Sequence, residues 1–276
     1  MRFSVFMLGV SAMFVGGAAY ADTTVVPASS LTSSGNYYTD NIGDIVVMTG
    51  GGNAPGIGNP SGRNDDGFSG PIDLGFNFTL YGNTYSSLYI NNNGNVSFGA
   101  GISAYVPTGP TGANAPLVSV FFGDVDTRGA NSGVVHYQLD TPGQLIVTWD
   151  NVGRYNGRSD LLNSFQLVLR SDDFVIPTNE GQIGFFYKNM GWDQTDTSQV
   201  AAIGFGDGAG NATILEGSLS SGLNRVVQNK YIWFNANLEP VPSGVPEPTT
   251  WAMMLIGFGV VGVSMRRRQR VRVAFA

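Results

Sequence analysis

Short runs of β-branched and aromatic residues, each closed by a glycine- or asparagine-rich turn, recur along this chain, and long helical apolar patterns are absent. The stretch SSLYINNNGNVSFG (86–99) shows the unit. Leu88 and Ile90 alternate with Tyr89, Asn93-Gly94 supplies a turn that accepts positive φ, and Val96 and Phe98 resume around Ser97. GVVHYQLD (133–140) and GQLIVTWDNV (143–152) form a second pair, joined through Pro142-Gly143. NSFQLVLRSD, GQIGFFYKNM, VAAIGFGDG and KYIWFNAN supply further strands. Roughly ten strands at this spacing predict an all-β, antiparallel sandwich-like or barrel-like domain.

Nothing covalent can hold such a domain together, because the 276-residue chain has no cysteine. That excludes disulfides, thiolate zinc sites and thiol nucleophiles, and leaves stability to the core. Two stretches depart from the strand pattern: 46–71 and 99–116 are dense in Gly, Asn and Pro and read as long loops, either functional or plain disordered insertions. Residues 239–248 hold four prolines and read as an extended stalk.

Both ends read as targeting segments. Arg2, the apolar run Phe3 to Val15 and the small residues Ala19 and Ala21 have the layout of a signal peptide over 1–21, cut by signal peptidase after Ala21. Between Asp22 and Glu247 eight basic residues face twenty acidic ones, a formal charge of −12. A surface of that sign repels phosphate backbones, so nucleic acid is not an expected partner.

With those residues in view, the region from about Asp65 to Gln194 resembles the nidogen-like extracellular domain. The resemblance rests on Phe76, Phe78, Tyr81-Gly82, Tyr85, Leu88, Asn93-Gly94-Asn95 and Ser97-Phe98-Gly99 in order. It continues through PLVSVFFGDVDTRGANSGVVHY, then Trp149, Val152, Tyr155, Asn163, Phe165 and Gln166, and closes on GQIGFFYKNMGWDQ. It implies an extracellular adhesion or matrix-type module of unspecified ligand. The cysteine-rich modules that accompany this domain in animal proteins have no counterpart here.

Catalytic chemistry finds little to work with. The single histidine, His136, sits in a strand pattern, and no G-x-S-x-G elbow accompanies it. Asp124 and Asp126 lie at i and i+2, which on a strand places both carboxylates on one side. That arrangement suits a shared calcium ion or a turn-stabilising hydrogen-bond network better than a water-activating pair. The loop DVDTRGANSG lacks the closing glutamate of an EF-hand. The glycines around Asp207 precede no helix and read as a turn. Tyr37, Tyr38, Tyr105, Tyr155 and Trp192 lie in or beside loops, where aromatic faces could stack on sugars.

The tail resembles a PEP-CTERM sorting signal, through Pro246-Glu247-Pro248, Trp251 and the arginines Arg266, Arg267 and Arg268. Seventeen uncharged residues, 249–265, predict a single transmembrane helix with a basic cytoplasmic tail at 266–276. The resemblance implies recognition by exosortase in a Gram-negative bacterium that makes exopolysaccharide, with transient residence in the inner membrane. The expected organisation is a signal peptide (1–21), N-terminal strands and a Gly-rich loop (22–64), the nidogen-like domain (65–238), stalk (239–248), membrane helix and tail. The expected function is an exported cell-surface or matrix adhesion or structural protein, linked to biofilm and contacting polysaccharide or a matrix protein. Two other readings stay open: a secreted hydrolase of extracellular polysaccharide, and a passive surface-layer or biofilm filler without a specific ligand.

Overall fold

A computed structural model describes residues 22–48, 61–194, 200–242 and 248–268. The signal segment with Ala19 and Ala21, and Pro246 and Glu247 of the tail, lie outside the described residues. Among the described residues fourteen strands form two seven-stranded sheets. The first runs, edge to edge, β1 (Thr23–Val26), β13 (Ala212–Leu215), β12 (Ala202–Gly206), β7 (Leu117–Phe122), β6 (Asn95–Ser97), β5 (Asn83–Asn91) and β4 (Ile72–Leu80). The second runs β2 (Thr32–Ser33), β14 (Lys230–Phe234), β11 (Ile183–Met190), β10 (Arg158–Arg170), β9 (Gln144–Arg154), β8 (Val135–Gln138) and β3 (Asp44–Ile45). Pairing is antiparallel except where β1 runs parallel to β13.

The expected hairpins form as the residue types dictate. Asn91 pairs with Asn95 across the Asn-Gly turn, with Gly94 at φ +78°. β8 and β9 pair from Val135–Trp149 to Gln138–Ile146, and Gly143 turns the chain at φ +77°. The glycines around Asp207 join β12 to β13, and the Asp207 carboxylate accepts from the amides of Ala209 and Asn211, closing a turn.

Apolar side chains of both sheets meet in one core. Trp149 and Phe165 stack at 5.1 Å, Phe121 packs on Phe165 at 5.6 Å, and Trp192 meets Phe121 edge-on at 5.8 Å. Tyr187, buried in β11, donates its hydroxyl to the Val120 carbonyl in the opposite sheet at 2.8 Å. Such contacts replace the missing disulfides as inter-sheet ties.

Two α-helices are present among the described residues, α1 (Leu223–Val227) and α2 (Pro248–Arg268). The second carries Pro248, Trp251 and the arginines of the tail. From Ala252 to Val263 its side chains are exposed all round, so the sandwich does not cover it. Among the described residues no helix is long and apolar enough to cross a membrane, which corrects the spanning helix expected over 249–265. After Pro-Thr-Thr-Trp, the stretch 252–263 is interrupted by three glycines. The helix also takes in Pro248, Thr249 and Thr250 at one end and Arg266, Arg267 and Arg268 at the other, which leaves its apolar part short of the ~20 residues a span needs.

Candidate functional site

Three segments meet at one end of the sandwich: residues 64–69, the β5–β6 turn at 91–95, and the exit of β7 at 123–127. The first belongs to a stretch expected to be a loop with little to bury. Instead it is strapped down on both sides. Thr127 N–H donates to Asn64 O at 3.0 Å and Asn64 N–H to Thr127 Oγ1 at 2.7 Å, Asp65 pairs with Asp126, Asn92 N–H donates to Gly67 O at 2.8 Å, and Ser69 N–H donates to Ile90 O at 2.9 Å. Arg63 Nη1 donates to the carbonyls of Thr127 and Gly129.

The asparagine turn is buried in full, with Asn91, Asn92, Asn93 and Asn95 at most 1% exposed. Burial of four amides requires partners, and the fold supplies most of them. Asn91 Nδ2 donates to Asn95 Oδ1 and Ser97 Oγ, and its Oδ1 accepts from Ile102 N–H. Asn93 Nδ2 donates to Asp66 Oδ1 at 2.9 Å and Ala104 O at 3.0 Å, while its Oδ1 accepts from Val125 N–H. Thus loop 99–116, the strap and the β7 exit are all held by this turn. Around Ala104 the same loop and Phe122 of β7 line a groove of about 440 Å³ that includes Ile102, Tyr105 and Val106.

Asp124 and Asp126 do not share a face. β7 ends at Phe122, and a bend at Gly123, with Val125 N–H returning to Gly123 O, breaks the alternation on which the i, i+2 expectation depends. Asp126 turns toward Arg128. Its Oδ1 accepts from Arg128 N–H and Nε, and its Oδ2 accepts from Arg128 Nη2 at 2.6 Å and Gly157 N–H at 2.7 Å. Arg128 Nη2 also holds Asp65 Oδ2.

Asp124 turns the other way. One carboxylate oxygen from each of Asp65, Asp66 and Asp124 lies within 4.8 Å of the other two. Asp124 is 2% exposed, and the other two are half-buried. Burial, reinforced by the neighbouring carboxylates, pushes Asp124 up to about 8 and Asp65 up to about 7. Asp66 is raised by burial as well, and holds φ +62° ahead of the buried Gly67. Side-chain oxygens in these segments stay buried without a hydrogen-bond partner: Asp65 Oδ1, Asp124 Oδ1, Asn92 Oδ1 and Asn64 Oδ1. Asn92 spans the group, since its N–H reaches Gly67, its Nδ2 reaches Val125 O, and its oxygen is left over.

Sequence reasoning reached Asp124 but not Asp65, Asp66 or Asn92. The run Asn64-Asp65-Asp66-Gly67 carried the signal, and it reads as solvated loop until something folds over it. The loop aromatics divide differently from expectation. Trp192 and Tyr37 are buried, Tyr38 packs between Phe186 and Trp233, and Tyr105 and Tyr155 remain exposed. His136 lies in β8 with Nδ1 3.2 Å from Gly43 O.

The class that fold and site define is a two-sheet β-sandwich with a buried polar end bearing clustered carboxylates. The chain belongs to the NIDO-related family, whose model matches residues 33–237. A second model, the PEP-CTERM protein-sorting motif, matches residues 244–268. Among curated relatives, alpha-tectorin of Gallus gallus is 32% identical over 159 residues, which is 46% of this chain and 7% of that protein. Nidogen of Drosophila melanogaster is 25% identical over 146 residues (43% of this chain, 10% of the relative). Dendrite extension defective protein 1 of Caenorhabditis elegans is 28% identical over 167 residues (51% and 13%). The chain therefore spans a small fraction of the length of these relatives. No solved structure matches it.

Proposed function

We propose that this protein is an exported structural or adhesion module of the cell surface or extracellular matrix, sorted by exosortase through its C-terminal tail. The observation that carries the reading is the succession of two matched segments: a NIDO-related domain over 33–237, then a protein-sorting motif over 244–268. The nidogen-like resemblance implies an extracellular setting, and the excess of acidic residues suits solubility there. The helix bearing Arg266 stands uncovered by the sandwich, which supports a tail read by a second protein rather than one packed as part of the core. Recognition of polysaccharide or a matrix protein falls to the loops gathered at one end of the sandwich, with Tyr105 exposed beside the groove of loop 99–116.

The test is expression of the full chain in a host with and without exosortase, followed by mass spectrometry of the mature protein. With exosortase present, no peptide beyond about residue 250 should be recovered, and a Pro246→Ala, Glu247→Ala, Pro248→Ala variant should keep its tail. Recovery of an intact tail from the wild-type chain in the exosortase-bearing host would overturn the sorting reading. Loss of the protein from the cell surface with unchanged biofilm and no retention on exopolysaccharide would overturn the adhesion reading.

A further inference from the structure

We propose that Asp65, Asp66 and Asp124 bind a calcium ion, with the amide oxygen of Asn92 as a fourth protein ligand. Three carboxylates, one of them 2% exposed, place oxygens within 4.8 Å of one another. Like charges at that separation repel, and repulsion grows as water is excluded, so the carboxylates either hold protons or are held against a compensating charge. The protein's own cations supply it only in part, through Arg128 on one oxygen of Asp65. The Arg128 guanidinium is engaged by Asp126 and by the far oxygen of Asp65, and Arg63 is engaged by two main-chain carbonyls. Neither hydrogen-bonds Asp66 or Asp124.

An independent observation points the same way. Asp124 Oδ1, Asp65 Oδ1 and Asn92 Oδ1 are buried without a hydrogen-bond partner. Buried oxygens of a folded protein are almost always partnered, and three in segments joined to one another mark a missing positive ligand. The donors are all oxygen, which selects a hard cation. Calcium accepts six to eight oxygens in irregular geometry, whereas magnesium demands a near-ideal octahedron and gives up water reluctantly. Ligands drawn from a strap, a hairpin turn and a strand exit suit the looser requirement. Calcium there cross-links residues 64–67 to the β5–β6 turn and the β7 exit, and through Asn93 fixes the Ala104 carbonyl of loop 99–116. The site stands apart from how the chain is sorted.

The full chain, stripped with EDTA and moved to metal-free buffer, is titrated with CaCl2 by calorimetry and melted with and without CaCl2. One equivalent should bind, with Kd near the 10⁻⁴–10⁻³ M range of extracellular modules. The melting temperature should rise by about 5–10 °C at calcium roughly 100-fold above Kd. Asp124→Asn should weaken binding at least tenfold while melting no lower than wild type in EDTA at pH 9, where it removes a repelled, buried charge. Asp66→Asn, at a half-exposed position, repeats the test should Asp124→Asn not fold, and Asp140→Asn at an exposed acid outside the site should bind as wild type. No heat and no calcium-dependent melting shift overturns the proposal, as does wild-type affinity in Asp124→Asn. MgCl2 binding as tightly as CaCl2 overturns the assignment to calcium.

Discussion

The indole Nε1 of Trp149 donates to the main-chain oxygen of Asn92 at 3.0 Å, so a core tryptophan of one sheet is tied to the buried asparagine turn of the other. Trp149 is fully buried and stacked on Phe165, and Asn92 is fully buried between strap and strand exit. The tie couples the packing of the core to the geometry of the polar end. Trp149→Phe keeps an aromatic ring against Phe165 and loses the hydrogen bond. Its expected cost is about 2–3 kcal/mol, read from the shift in urea midpoint at unchanged slope.

Gly94 and Gly99 offer a matched comparison. Both hold positive φ, +78° and +81°. A Cβ on Gly94 would lie 1.9 Å from the Phe121 carbonyl oxygen, whereas one on Gly99 would meet nothing within 4 Å. Gly99→Ala should therefore cost only the left-handed strain, about 1–2 kcal/mol. Gly94→Ala should cost well over about 3 kcal/mol, because the turn must move off β7 as well. Thermal melts of the two variants, run side by side, check the difference.

Arg128 neutralises Asp126, whose side chain is fully buried, and one oxygen of Asp65. Arg128→Gln strands a buried carboxylate with only two main-chain donors, the amides of Arg128 and Gly157. A destabilisation of about 3–5 kcal/mol is expected from denaturant unfolding. A cost below about 1 kcal/mol would place this pair among surface ion pairs instead.

In chelator, stability should fall as pH rises from about 4 to about 8. Unfolded aspartates release their protons near 3.9. Asp65 and Asp124, raised to about 7 and about 8 by burial and by Asp66 and Asp126, against the opposing pull of Arg128, keep theirs. Over that window the folded state holds more protons than the unfolded state, so the slope of stability with pH is negative. Their contribution is complete below the unfolded value and lost once pH passes the folded values. Melting curves in EDTA across pH 4–9 should show the decline, and millimolar CaCl2 should flatten it toward pH 8–9, because a bound cation favours the ionised carboxylates that burial disfavours.

Much of the fold was legible in the residues. The alternation of Leu88, Ile90, Val96 and Phe98 and the positive-φ Asn93-Gly94 turn specify a hairpin by local geometry alone, and the same holds for β8–β9 around Pro142-Gly143. The tail motif was legible too, because Pro-Glu-Pro, tryptophan and the arginine cluster form a linear pattern. Its fitness as a spanning helix was not, since a count of uncharged residues treats threonine, serine and glycine as if they were leucine.

The polar end divides along the same line. Sequence by itself determined that β-strands would form, where they would turn, that no disulfide would hold them, and that a sorting signal would close the chain. Each of these depends on residues within a few positions of one another. Only the tertiary structure decided that Asp124 faces Asp65 and Asp66 while Asp126 faces Arg128, because a bend at Gly123 cancels the strand's two-residue period. Only it decided that an asparagine turn of surface composition is buried, because a strap and a loop from distant parts of the chain fold across it. Solvent exposure and the company of charges are long-range quantities, and no local pattern encodes them.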